Sequence, residues 1–157
     1  MSVMSQPLRP KHLTGAAKYN PAVSIIAIDY GGRRIGVAVS DAGAIARPHS
    51  VVRNEGDIIG KLAGIARELE AETIVLGVPR RPHSTNGEEK FRDFAERLRQ
   101  KTCNVVVLWD EALTTTEASR QLRENGMKRR DAQREIDMHA AAVILQSYLD
   151  DLARRAS

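Results

Sequence analysis

The sequence is poor in the residues that staple, stack or span. One cysteine, Cys103, in 157 residues rules out an internal disulfide and any metal cage built from thiolates, and it suits a reducing, cytoplasmic setting. Cys103 itself reads as a small buried residue. Two Phe, three Tyr and one Trp are too few rings for a base-stacking sheet of the kind that reads single-stranded RNA. No apolar run approaches the roughly 20 residues that cross a bilayer. The N-terminus lacks the apolar stretch of a secretory signal, and no Walker loop, GxGxxG or zinc-ligand spacing occurs.

What is present is charge with a particular chemistry. Lys and Arg number 24 against 20 Asp and Glu, a net charge of +4, and 18 of the 24 cations are Arg. Guanidinium groups bind phosphate in a bidentate manner, so this composition favours a polyanionic partner. With 42% apolar and 28% charged residues, the chain has the balance of a folded protein. Its length fits one domain.

Residues 1–22 carry Arg9, Lys11 and Lys18, no acid and three prolines, and they read as a flexible basic arm. A single domain is expected over residues 23–153. Residues 24–30 (SIIAIDY) and 33–40 (RRIGVAVS) alternate as strands around the Gly31-Gly32 turn, and a third strand is expected over 46–53. Ile58, Leu62, Ile65 and Leu69 recur at helical spacing over 57–70, and 73–78 (TIVLGV) is a short buried strand. Residues 80–87 read as a loop, Phe91, Phe94, Ala95 and Leu98 mark a second helix, and 104–109 (NVVVLW) is a fifth strand. Thr114 and Glu117 fit a capping box opening a helix that ends near Asn125-Gly126. A last helix is expected from about 134 to 153. The fold class is therefore α/β, a mixed five-stranded sheet with three antiparallel strands followed by alternating helices and strands.

Three acidic positions sit where acids are costly. Asp29 ends an apolar strand, where an ionised carboxylate needs cations or donors; before Gly31-Gly32 it also reads as a turn initiator. Asp110-Glu111 follows NVVVLW, and alternation sends the two side chains to opposite faces. If this strand and the first are parallel neighbours, one of the pair reaches the edge that Asp29 reaches. Asp137 shares a helical stripe with Ala141, Ile144 and Tyr148, beside small residues that permit close approach to a sheet. It also reads as a first-turn acid favoured by the helix dipole. Carboxylates that converge repel one another unless a divalent cation intervenes, and their oxygens are what Mg²⁺ or Mn²⁺ prefers.

The segments IAIDYGGRRIGVAVSD (26–41), the AxP of 46–48, IVLGVP (74–79) with the later Gly87, DEALTT (110–115) and IDMHAAAVILQSYLD (136–150) resemble, in order, the motifs of the YqgF family. Its members carry the descriptions pre-16S ribosomal RNA nuclease and, earlier, Holliday junction resolvase. The resemblance covers about residues 23–150. It implies a ribonuclease H-like fold and metal-dependent phosphodiester cleavage, with Asp29, Glu111 and Asp137 as catalytic acids and ligands for Mg²⁺ or Mn²⁺. The choice of Glu111 over Asp110 comes from the resemblance. Ala112 stands where the family usually carries Arg, and the 80–87 loop differs in detail from the family's glycine-containing loop.

Arg34, Arg80, Arg81, Lys128, Arg129 and Arg130 are the candidate substrate-binding cations. Arg34 reads equally as a salt-bridge partner, and the basic segment before Asp137 as a solvated connection. His139 points to another side of its helix from Asp137. The expected activity is an endonuclease acting on structured RNA, in the maturation of the 16S ribosomal RNA 5′ end. The alternatives are a Holliday junction resolvase acting on DNA and a non-catalytic nucleic-acid or ribosome-assembly factor. An actin-like ATPase needs two domains closing on a nucleotide, which one domain of this size cannot supply. The chain is expected as a monomer or homodimer.

Overall fold

A computed structural model describes the backbone of residues 24–41, 44–78, 85–110 and 129–156. The expected basic arm, 1–22, and the expected helix after Thr114 lie outside these residues. The elements run β1 (Ser24–Tyr30), β2 (Arg34–Asp41), β3 (Ile45–Arg53), α1 (Ile58–Glu68), β4 (Ala71–Val78), α2 (Thr85–Thr102), β5 (Val105–Asp110) and α3 (Arg129–Ala156). The five strands form one mixed sheet in the order β3-β2-β1-β4-β5. The meander β1-β2-β3 is antiparallel, and β1-β4 and β4-β5 are parallel. The mixed α/β architecture is the one the pattern predicts.

The condition placed on the first and fifth strands is met only in part. β5 is parallel to β1 but not its neighbour, because β4 lies between them. Two strand spacings, about 10 Å, therefore separate their columns. The apolar runs at 73–78 and 104–109 are both buried-strand patterns, and neither pattern encodes which pairs with β1.

The sheet's two faces carry different cores. Ile26, Ile28, Ile35, Val37, Ile74 and Leu76 point to the side covered by α1 and α2, where they meet Leu62, Phe94 and Leu98. Ile25, Ala27, Ala38 and Val75 point to the other side, under Ala141, Ile144, Leu145 and Leu149 of α3. Alternation along each strand produces this division.

α1 opens as expected on Asp57, whose Oδ1 accepts a hydrogen bond from the Gly60 backbone N–H at 3.0 Å. Two helix starts differ from expectation. Thr85–Gly87 is already helical, and α3 begins at Arg129, so the basic run before Ile136 is helix and not a connection. The stretch RRDAQRE lacks apolar periodicity, which hid it. It also holds no glycine or proline after Gly126, so nothing breaks the helix. Cys103 is exposed, contrary to expectation. It occupies a left-handed turn (φ 60°) between α2 and β5, where the chain reverses at the surface.

α3 is pinned at separate points along its length. The Gln146 side chain accepts from the Ala46 N–H at 2.9 Å and donates to the Ala44 carbonyl at 3.2 Å, tying it to β3. Trp109 Nε1 of β5 donates to Ser147 Oγ at 3.1 Å, and its ring meets Tyr148 edge-on at 5.3 Å. Among the described residues, no helix is long and apolar enough to cross a membrane.

Candidate active site

Asp29 is the penultimate residue of β1 and half-buried. It continues the parity of Ile25 and Ala27, so it projects to the α3 face. Its register partners on both neighbouring strands are glycines, Gly36 on β2 and Gly77 on β4. No cross-strand side chain flanks the carboxylate on either side. A glycine inside a strand marks a place where something approaches the backbone closely.

At Gly36 the approaching group is α3 itself. A β-carbon built on Gly36 would lie 2.1 Å from the Asp137 carbonyl oxygen and 3.5 Å from the Ala141 β-carbon. Only a hydrogen fits there. The helix turn carrying Asp137 is thus seated on the sheet beside Asp29. The Asp137 backbone thus lies against Gly36, the register partner of Asp29, although the two acids are 108 residues apart in sequence.

Arg34 fixes the orientation of Asp137. Its Nε donates to Asp137 Oδ2 at 2.9 Å, with the side chains 42% and 19% exposed, so the pair is partly screened by solvent. Both readings of Arg34 can hold together, because its terminal nitrogens make no hydrogen bond to a described residue. The position also accounts for Arg34's direction: β2 sends Arg34, Gly36 and Ala38 to the α3 face and Ile35 and Val37 to the other.

Asp110, the last residue of β5, continues the parity of Val106 on the α1/α2 side, whereas Val107 and Trp109 face α3. Glu111, Arg80, Arg81 and Lys128 lie outside the described residues. The backbone of Arg129 and Arg130 forms the first turn of α3, upstream of Asp137 on the same helix. His139 is half-buried on α3.

Among the described residues, no three His, Cys, Asp or Glu side chains gather tightly enough to enclose an ion. Asp29 and Asp137 nevertheless supply the hard oxygen donors that Mg²⁺ or Mn²⁺ takes. Mg²⁺ is commonly held by one or two carboxylates together with substrate phosphates and water. Sequence reasoning passed over Gly36 and Gly77. The signal available was a glycine within each apolar strand, in RIGVAV and IVLGV.

The profile of the RuvX family, described as Holliday junction resolvase, matches residues 23–151. A protein of Agathobacter rectalis named "Putative pre-16S rRNA nuclease" is 36% identical, the alignment covering 85% of this chain and 99% of that one. One of the same name from Syntrophus aciditrophicus is 39% identical over 83% of this chain and 90% of its own. Among solved structures, Thermus thermophilus RuvC in complex with Holliday junction substrate superposes with a TM-score of 0.56 at 14% identity, covering 83% and 96% of the two chains. The fowlpox virus resolvase in complex with Holliday junction DNA gives 0.52 at 10% identity, covering 83% and 99%. At such identities the likeness concerns the fold, which is the ribonuclease H-like arrangement expected from the motifs. The profile match over residues 23–151 and the relatives aligned along nearly their whole length place this chain in the RuvX family, the YqgF family of the sequence motifs.

Proposed function

We propose that this protein is a cytoplasmic, divalent-metal-dependent endonuclease that cleaves phosphodiester bonds in structured RNA, with the precursor of 16S ribosomal RNA as substrate. The observation that carries the reading is the seating of the Asp137 backbone over Gly36, the register partner of Asp29, which supports a site shared by the two acids. The names of the relatives supply the substrate. Asp29, Glu111 and Asp137 form the acid set, Glu111 being assigned by the family motif.

Asp29 and Asp137, with Glu111, would hold Mg²⁺ or Mn²⁺. When bound, such an ion lowers the pKa of a coordinated water and stabilises the leaving oxygen of a phosphodiester. The chain's own residues do the rest. Gly36 sets the height of Asp137 above the sheet, and Arg34 fixes the rotation of its carboxylate. Arg34 also offers its remaining N–H groups to a phosphate, alongside Arg80, Arg81, Lys128, Arg129 and Arg130.

The test offers purified protein a precursor 16S RNA fragment and a four-way DNA junction, each with Mg²⁺ or Mn²⁺. RNA cleavage is expected, and Asp29→Asn and Asp137→Asn are expected to lower it at least ~100-fold. Substitutions merely adjoining metal ligands already cost 10–100-fold. Undiminished cleavage by Asp29→Asn removes that residue from the mechanism.

The family description favours a second reading, junction resolution on DNA with the same acids. Preferential cleavage of the junction supports it, and a homodimer in solution would match the paired strands of such a substrate. Salt-sensitive binding with no metal-dependent turnover of either substrate would support a non-catalytic assembly factor.

A further inference from the structure

The end of the sheet that carries Asp29 also carries a group of arginines that the described acids neutralise only at Arg34. Arg34 at the start of β2 and Arg53 at the end of β3 are register partners on an antiparallel ladder. Their side chains therefore emerge side by side on the α3 face, as the pairing of Val51 with Gly36 on the same face requires. Like charges directly opposite one another destabilise a strand pair. Arg34 is compensated by Asp137. Arg53 is exposed and makes no ion pair with a described residue, and the same holds for Arg33 in the adjoining turn.

This cationic cluster is held on stiff backbone. The Asn54 N–H donates to the Arg33 carbonyl at 2.8 Å, and Asn54 Nδ2 donates to the Gly31 carbonyl at 2.9 Å, stitching the β1–β2 turn to the end of β3. The turn is tight: a β-carbon on Gly31 would meet the Arg34 carbonyl oxygen at 2.4 Å. Repelling guanidiniums retained on a braced edge next to a pair of carboxylates are a preorganised receptor for anions in a row. β3 lies two strand spacings, about 10 Å, from the column of Asp29, close enough for one polyanion backbone to touch both.

We infer that Arg53, with Arg33, binds backbone phosphates of the nucleic acid, so that the strand crosses the β2–β3 edge on its way to the acids. The inference rests on the nucleic-acid reading above. It adds two contact residues and a direction of approach from the β3 side.

The experiment measures fluorescence anisotropy of a labelled RNA hairpin and of its DNA counterpart in EDTA, which prevents metal-dependent cleavage, at KCl from about 50 to about 200 mM. Arg53→Gln is compared with Arg97→Gln, which removes the same charge from the exposed side of α2. Arg53→Gln is expected to weaken binding several-fold and to reduce the slope of log K against log salt by about 0.7–0.9, the value for one phosphate contact. Arg33→Gln behaves alike, Arg97→Gln stays near wild type, and Arg53→Lys restores the slope. Equal losses in Arg53→Gln and Arg97→Gln overturn the inference, as do an unaffected Arg53→Gln, a wild type that binds neither probe, or an Arg53→Lys that restores nothing. The RNA and DNA arms show which backbone the track prefers. Since hydrolysis plays no part, binding that does not depend on Arg53, with cleavage intact, refutes the track alone. Intact binding without metal-dependent cleavage refutes the hydrolytic reading alone.

Discussion

One sheet buries two faces, and they are built from different alphabets. Against α1 and α2 it presents Ile26, Ile28, Ile35, Ile74 and Leu76, which interlock with Leu62 and Leu98. Against α3 it presents Ile25 and Val75 to the large residues Ile144, Leu145 and Leu149, but it sets Ala27, Gly36 and Ala38 among them, with Gly36 meeting Ala141 and the Asp137 backbone. Large branched side chains hold helices off the sheet and supply apolar area at about 25 cal/mol per Å². Small ones let a helix backbone settle on the strands. Both faces bury large side chains, but only the α3 face carries the small residues that let the Asp137 backbone reach Gly36, the partner of Asp29.

The contrast is open to attack from either side. Leu98→Ala removes a fully buried side chain of the α1/α2 face and is expected to cost about 2–5 kcal/mol. Nuclease activity per folded molecule should be unchanged. Urea unfolding read beside activity below the transition checks both halves. Gly36→Ala adds one methyl to the other face and is expected to cost about 1–3 kcal/mol through overpacking. Because α3 must lift, it should nevertheless abolish activity and weaken Mn²⁺ binding measured by calorimetry. A Gly36→Ala protein with full activity would show that the contact does not position Asp137.

The smallest effect concerns pH. Burial between α3 and the sheet raises the Tyr148 hydroxyl above the ordinary value of 10, with Asp151 adding to the rise and Arg155 opposing it. Its folded pKa lies above its unfolded one, so the stability this group contributes is complete below pH ~10 and is lost as pH rises through the raised value. One proton changes stability by at most ~1.4 kcal/mol per pH unit. Unfolding at pH 9 to 11 (about the range of tyrosine ionisation) should show a shallower decline in Tyr148→Phe than in wild type.

The same contrast explains what was legible in the sequence. Period-two alternation marked β1 and β2, and helical spacing marked α1, because large apolar residues write strong patterns. The mixed sheet followed from them. The order of β4 and β5 did not, since TIVLGV and NVVVLW are interchangeable as buried strands and only long-range pairing separates them. The start of α3 at Arg129 escaped because an exposed, charged helical stretch has no apolar rhythm. Asp29 and Asp137 were conspicuous as acids in apolar settings, yet their meeting depends on Gly36, whose message is a missing side chain. The preference for Glu111 over Asp110 needed the family motif. The described strand agrees only in sending Asp110 to the face away from α3.

The helix that completes this site comes from the end of the chain and docks onto its beginning. The Arg34–Asp137 hydrogen bond spans 103 residues, and the tie from Ala46 to Gln146 spans 100. A chain emerging from the ribosome can pair β1 with β2 early, but the turn carrying Asp137 reaches Gly36 only after α3 has been synthesised and released from the exit tunnel. Catalytic competence on the proposed reading therefore arrives only after α3 has emerged.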